Sequence, residues 1–322
     1  MKLKSKVNHA LEKCEQWMMS HIEAPDFFTR KTEDPVSYYK WPLALLARGK
    51  KNEARQILDW INKNCLTDAG DYISNRSGFH QEFHTYSTLW MTLAAMELGD
   101  DELVNKQLSF ILQYHNRQNG GLATYPADKE MITEDPVSTA FLGMVACGLK
   151  DRELADSILH FFERLVSQDI RDNQLWIRTR ADGSIIRNIP KNADPKTYVI
   201  NLGQKEECYY FLGAACYFLG RYIETFSSAP IMLANKYAAL LEKCGKEALD
   251  TIWAAKVAPG CALLYSVSGD QKFLDLSTMV MKAVLGCQHE DGYWVKGGKP
   301  WVTVSAEQCY WLTDINARVH HS

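Results

Sequence analysis

The sequence predicts an all-α fold, a closed ring of six helical hairpins or (α/α)6 toroid, on three observations. The first is a repeat. TEDPVSYYKWPLALLARGK begins at Thr32 and TEDPVSTAFLGMVACGLK at Thr133, and weaker versions of the element, a polar lead-in and then an apolar helix, recur at His84, Glu206, Ala254 and Thr303. Successive starts are about 50 residues apart, with one longer gap after the third, as in arrays of helix pairs. The second is patterning: the helix after each long loop is apolar all round and rich in small residues, as in STAFLGMVACG and YFLGAACYFLG, whereas the next carries a charged face. The first kind belongs in an inner ring and the second outside it. The third is loop length. Inner-to-outer turns are short (LGDDE, GLKDRE, VSGDQK), whereas outer-to-inner loops run to roughly 15–40 residues, longer than closure requires.

Taken in order, an amphipathic helix spans 6–22, and a polar loop containing Pro25 leads to an apolar helix over 36–48. The tight turn RGKKNE starts 53–64. The pattern repeats as 85–98 and 102–118, then 137–148 and 152–168, then 206–222 and 230–244, and closes with 254–268, 271–288 and 305–319. The extra length after the third repeat reads as a small β-hairpin insertion near 174–189, because QLWIRTR and SIIRNI flank Ala181-Asp182-Gly183. The long-loop end gathers the N-termini of all six inner helices, whose unpaired N–H groups and dipoles suit anions. Function belongs at that mouth.

A chain of 322 residues, 46% hydrophobic and 23% charged, buries a large core, and a repeat that runs almost from end to end favours a single toroid domain over 1–322. A net charge of −3 with scattered basic residues argues against nucleic acid as partner. The N-terminal MKLKSKVNHALEKCEQWMM lacks the apolar core of a signal peptide, and no stretch is long and apolar enough to span a bilayer. Nine cysteines, mostly inside helical patterns (Cys147, Cys208, Cys216, Cys261, Cys309), read as small buried residues, so a cytoplasmic protein is expected. No P-loop, dinucleotide fingerprint, G-x-S-x-G or CxxC is present, so the expected partner is a small-molecule substrate and no cofactor is expected.

Candidate residues cluster where inner helices begin. Asp34 and Asp135 each precede a proline at a helix start, the arrangement of an N-cap followed by proline at N1; facing the mouth, a partly buried Asp135 also suits a proton donor. His80 and His84 flank Glu82 but lack the HExxH pattern, and no metal site is expected. His84 and Tyr86 enter the mouth with the second inner helix, where a neutral imidazole relays protons or is satisfied by a loop carbonyl. Glu206, Glu207, Tyr209 and Tyr210 open the fourth inner helix, and Glu307, Gln308, Tyr310 and Trp311 the sixth. Acids there favour the helix dipole, yet they are polar for buried helices and point to a solvated cavity. Tyr38, Tyr39, Lys40 and Trp41 do the same for the first. Arg178 and Arg180 alternate with Ile177 and Thr179, so both are expected on one face, which either holds an anion or is solvated. Trp294 and Trp301 flank VKGGKP and suit stacking on a sugar or unsaturated ring, Trp294 being equally a partner for Gln288.

Two further segments, QNGGLATYP at Gln118 and QHEDGYW at Gln288, carry a glutamine closing a helix, a Gly or acidic turn and an aromatic. They resemble the QW repeats of the terpenoid cyclase and protein prenyltransferase superfamily, and GCALLYSVSGDQKFLDLSTMVMKAVLGCQHEDGYW looks like a whole such repeat. The resemblance implies a toroid in which the glutamine ties off a helix end and the tryptophan stacks on it. The DxDD acid of class II cyclases has no match here, the nearest acids being Glu33-Asp34 and Glu134-Asp135. Only Glu206-Glu207-Cys208 is similar to the prenyltransferase zinc motif. Toroids of this size also serve as unsaturated-uronide hydrolases, sugar epimerases and polysaccharide lyases.

The expected function is therefore a cofactor-independent acid/base enzyme of terpenoid-cyclase-like type, catalysing cyclisation, isomerisation or elimination on a small amphipathic metabolite. Asp135 is the expected proton donor, His84 a base or relay, and Glu207 a second carboxylate. Tyr38, Tyr39, Lys40, Tyr86, Arg178, Arg180, Tyr209, Trp294, Trp301 and Glu307 are the expected substrate-binding residues. A carbohydrate-active toroid, either unsaturated-uronide hydrolase or sugar epimerase, is the alternative, and a non-catalytic binding or scaffold protein a third.

Overall fold

The structure, a computed structural model, describes residues 3–24, 26–28, 37–72, 82–124 and 133–319. Asp34 and His80 lie outside the described residues, as does most of the first TEDPVS copy. Among the described residues, twelve helices longer than a single turn follow one another: α1 (Leu3–Ile22), α2 (Trp41–Ala47), α3 (Lys51–Cys65), α4 (Tyr86–Leu98), α5 (Asp101–Ile111), α6 (Pro136–Leu149), α7 (Arg152–Val166), α8 (Tyr210–Thr225), α9 (Ile231–Cys244), α10 (Val257–Ser268), α11 (Gln271–Gly286) and α12 (Val302–Val319). None is long and apolar enough to cross a membrane.

The even-numbered helices form the inner ring. Each touches the next, and α12 touches α2, which closes the circle. Outside them, α3, α5, α7, α9 and α11 each pack on the preceding inner helix, and α1 packs on α12. Burial follows the sequence pattern: every residue of α6 from Pro136 to Cys147 is buried, whereas α7 buries Leu154, Ala155, Ile158, Phe161, Phe162 and Leu165 on one stripe. The short turns share a construction. Gly99, Lys150 and Gly269 end α4, α6 and α10 in the left-handed conformation, and Asp100, Asp151 and Asp270 then cap α5, α7 and α11 through their side chains.

The last long loop ties the ring shut. Gly292, at φ +98, lies against α1 so closely that a Cβ would stand 2.3 Å from the Lys13 carbonyl oxygen. The Gln288 amide donates to the Ala10 and Gly292 carbonyls, each at 2.9 Å. Trp294 is buried in this wall, its indole N–H donating to the Val284 carbonyl at 2.9 Å. The other glutamine tie is not made by Gln118. Because α5 stops at Ile111 and continues only as a 3-10 turn (Leu112–Tyr114), Gln118 lies exposed in the turn beyond. Gln168 makes the tie instead: its amide N–H donates to the Leu165 and Trp176 carbonyls at 2.8 and 2.7 Å, and its carbonyl accepts from the Trp176 N–H at 3.1 Å.

The strands of the long loops are short. β1 (Leu122–Ala123), β2 (Thr133–Asp135) and β4 (Thr179–Arg180) form one antiparallel sheet in the order β1-β2-β4, and β3 (Gln174–Trp176) pairs with β5 (Val199–Asn201) in another. The insertion forms its hairpin around Ala181-Asp182-Gly183 over 178–186, where Thr179 bridges Ile185 and the Arg180 and Ile186 N–H groups donate to the Ser184 and Arg178 carbonyls, each at 2.9 Å, whereas the earlier stretch 174–176 pairs with β5 instead. Because β3 and β4 belong to different sheets, the two-residue alternation breaks between them. Arg178 is buried and Arg180 exposed, so the two arginines do not share a face.

Candidate active site

Five of the inner helices are preceded by Lys40, Thr85, Asp135, Tyr209 and Lys256. Two of these are cations at the positive end of a helix dipole, where an anion is favoured. Their side chains explain the placement. Lys40 before α2 and Lys256 before α10 flank Glu307 of α12, which lies between those helices in the ring. The Lys40 ammonium donates to Glu307 Oε2 and the Lys256 ammonium to Oε1, which also accepts from the Trp311 indole N–H at 3.1 Å. All three ionised side chains are nearly lost to solvent, at 6%, 9% and 5% exposure for Lys40, Lys256 and Glu307, so the group carries one uncompensated positive charge in a desolvated place.

Aromatic rings enclose the triad. Lys40 Nζ lies 5.3, 5.6 and 5.3 Å from the ring centres of Tyr39, Tyr86 and Trp90, and Lys256 Nζ 5.9 and 5.2 Å from those of Tyr86 and Tyr210. Trp90, Phe141, Tyr217 and Trp311 pack together next to the triad, Trp311 edge on to both Trp90 and Tyr217 and Trp90 tilted on Phe141. The triad lines a cavity of about 310 Å³, which Trp253, Lys296 and Trp301 also line, with the two indoles 5.9 Å apart. Lys296 and Trp301 are supplied by the loop carrying a two-strand ribbon, β6 (Val295–Lys296) and β7 (Lys299–Pro300).

Burial and charge set the protonation states. Burial pulls the Lys40 ammonium down to about 8; the Glu307 carboxylate opposes this and Lys256 adds to it. Burial by itself would raise the Glu307 carboxyl, but Lys256 and Lys40 hold it at about 2. The phenols of Tyr86 and Tyr210 are pushed well above their ordinary value, chiefly by burial. The cavity therefore offers a permanent carboxylate, phenols that keep their protons, and an amine poised near neutrality.

Of the expected residues, Tyr39, Lys40, Tyr86, Trp301 and Glu307 meet in this cavity, and the others lie elsewhere. Tyr38 joins an aromatic cluster with Phe27, Trp41 and Trp60. His84 stacks on Tyr114 and places Nε2 3.4 Å from Asp71, away from the lysines. Glu206 adopts φ +60 ahead of α8, so both glutamates fall in the loop before the helix; Glu207 accepts from the Asn201 amide at 2.9 Å. Tyr209 gives its hydroxyl to the Gln204 carbonyl at 2.6 Å. Asp135 caps α6, accepting from the Ser138 N–H at 2.7 Å, and its burial raises the carboxyl to about 6 against the pull of Arg178. Arg178 is itself buried, donating to the Thr197 carbonyl at 2.8 Å and to Glu82 at 3.2 Å, beneath the rings of Phe83 and Tyr198. Asp135 and Arg178 both act electrostatically on Tyr210, which lines the cavity, but do not line it themselves.

Sequence reasoning missed Lys256, Trp253 and Lys296. A signal for Lys256 existed: like Lys40 before Trp41-Pro42, it precedes an apolar inner helix with an early proline, Val257-Ala258-Pro259. Its position is fixed by Gly213 of α8, where a Cβ would stand 2.3 Å from the Lys256 carbonyl carbon.

Solved structures share this fold over most of the chain. An unsaturated glucuronyl hydrolase specific for heparin is 12% identical with a TM-score of 0.62, covering 99% of this chain and 98% of that one. The protein is an α/α toroid. Cellobiose 2-epimerase from Spirochaeta thermophila is 11% identical (TM-score 0.59; 88% and 86% covered), and a type II terpene cyclase from Scytonema is 13% identical (TM-score 0.55; 98% and 99% covered). At such identities the likeness is one of fold, and it spans several toroid enzymes rather than the terpenoid cyclases in particular. No family description and no curated protein sequence matches the chain.

Proposed function

We propose that the chain is an acid/base enzyme of the carbohydrate-active kind, which moves a proton at the carbon beside the carbonyl of a small sugar or sugar acid, as in epimerisation or isomerisation. The observation that carries this reading is the sharing of one buried carboxylate by two lysines. Their surplus charge favours an electron-rich carbonyl or carboxylate oxygen. The amine that is easily deprotonated serves as base near neutral pH, and the protonated Tyr86 and Tyr210 donate to the oxygen on which charge develops. The cavity is at the small end of ligand pockets, and Trp253 and Trp301 offer apolar faces to a sugar ring.

Two other chemistries fit less well. Two-carboxylate glycoside hydrolysis needs a protonated acid beside a second carboxylate; among the described residues lining the cavity, Glu307 is the sole carboxylate and is held ionised. Carbocation cyclisation would set a developing cation against two buried ammonium groups. Asp135 does not line the cavity, so in this scheme its carboxyl, raised to about 6, acts on the reaction only through Tyr210. The similarity to a cellobiose epimerase and a glucuronyl hydrolase adds a fold-level analogy for sugar substrates.

The test is solvent exchange. Reducing sugars and sugar acids are incubated with the protein in deuterated water and followed by proton NMR. Deuterium entering beside the carbonyl with the wild type, and not with Lys40→Met, is the expected result. No exchange with any member of the panel, together with thermal stabilisation by polyprenyl or polyene acids, would overturn the reading in favour of the cyclase.

A further inference from the structure

Lys40 and Lys256 share more than a counter-ion. With Glu307 neutralising one of them, the other holds a proton that nothing among the described residues lining the cavity balances, in a place nearly closed to water. Both sit at the dipole end that disfavours a cation. A desolvated lysine beside a second cation is the arrangement that turns an amine into a nucleophile. Lys40 is the less exposed of the two and the one surrounded by three aromatic rings, Tyr39, Tyr86 and Trp90.

We infer that Lys40 is a covalent nucleophile, which bonds as an imine to the carbonyl carbon of the open-chain form of an aldehyde or ketone substrate, with Lys256 as its proton partner. The free amine of Lys40 adds through its lone pair to the carbonyl carbon while the C=O π pair moves to oxygen. One proton then passes from that nitrogen to the oxygen, giving a carbinolamine. The hydroxyl departs as water with a proton from the Lys256 ammonium, and the nitrogen lone pair closes the C=N bond. Charge is conserved: Lys256 becomes a neutral amine as Lys40 becomes an iminium, and Glu307 remains paired with a cation throughout. The iminium withdraws electrons from the neighbouring carbon, and the freed Lys256 amine is placed to take the proton there. Burial and the second lysine both lower the proton affinity of Lys40, in keeping with this role.

The inference rests on the proposed proton-transfer site, yet the two fail separately. The full chain is treated with glyceraldehyde and sodium cyanoborohydride at neutral pH, and reductive adducts are located by intact mass and peptide mapping. The expected result is one dominant adduct, on Lys40, forming at least about tenfold faster than on exposed lysines such as Lys191 and Lys205, since the free-amine fraction grows tenfold for each unit by which a lysine pKa falls. The adduct should vanish in Lys40→Met. In Lys256→Met, whose fold is checked by circular dichroism, it should form more slowly, because Lys40 then keeps Glu307 to itself and holds its proton. Labelling of Lys40 no faster than of Lys191 overturns the inference. If deuterium exchange persists in that case, proton transfer survives without a covalent step; labelling without exchange upholds the nucleophile and removes the proton-transfer reading.

Discussion

Lys40 and Lys256 occupy the same position in two inner helices, the residue just before the first turn, and their ammonium groups end on the two oxygens of a single carboxylate, Glu307. The arrangement is asymmetric in charge. Removing the acid and removing one base must therefore have different consequences.

Glu307→Gln leaves two desolvated ammonium groups without a counter-charge, and a loss of about 3–5 kcal/mol is expected. Lys40→Met leaves a balanced Lys256–Glu307 pair, and its cost is expected to stay below about 1.5 kcal/mol, as for a volume-conserving core change. Urea denaturation at pH 7 measures both. Equal losses would mean that the triad does not carry the surplus charge assigned to it.

Stability and rate should depend on pH in opposite ranges. Glu307 titrates near 2 in the fold against an ordinary 4.5, so its contribution is present above about 4.5 and is lost as pH falls toward 2. Lys40 titrates near 8 against an ordinary 10.5. Between those values only the unfolded chain binds the proton, so the Lys40 contribution makes stability rise with pH across that window. Turnover that uses the free amine should climb through about 8 and flatten above it. In Lys256→Met the rising limb should move to higher pH, which a pH profile of kcat/KM would reveal.

Asp135 is a cap with an expensive charge. Its carboxyl is raised to about 6, so the stability it confers is full below the unfolded value near 3.8 and is lost as pH rises through 6. Asp135→Asn keeps an acceptor for the Ser138 N–H and should be no less stable than the wild type at pH 7, without that slope. Asp135→Ala should cost about 1 kcal/mol through loss of the cap. Full turnover in Asp135→Asn would remove any action of Asp135 through Tyr210.

Gly213→Ala places a methyl group against the backbone that carries Lys256. A loss of about 1–3 kcal/mol is expected from overpacking, with a fall in turnover larger than in a variant of equal stability altered in the outer ring. Thermal unfolding and steady-state kinetics on the two variants separate the effects.

Gln168→Ala should cost more than Gln118→Ala. The first leaves the Trp176 N–H and two carbonyls without their side-chain partner, for which about 1–3 kcal/mol is expected. Gln118 is exposed, and its replacement should fall within about 0.5 kcal/mol.

The sequence by itself determined the ring. An apolar helix alternating with an amphipathic one, joined by short turns and repeated six times, can bury its surface only by closing on itself, and that information is local to each repeat. It also located the mouth, since loop length distinguishes the two ends, and it brought Lys40, Tyr39, Tyr86, Trp301 and Glu307 forward as polar or aromatic residues at starts of buried helices. Tertiary structure alone decided which of these meet. Glu307 finds Lys40 at a separation of 267 residues and Lys256 at 51, because closure brings α12 between α2 and α10. Strand pairing likewise sent Arg178 inward and Arg180 outward, and the early end of α5 left Gln118 in solvent. Periodicity specifies the face that a side chain presents along its own helix. The partner it meets across the ring depends on how the helices are packed around one another, which no single segment encodes.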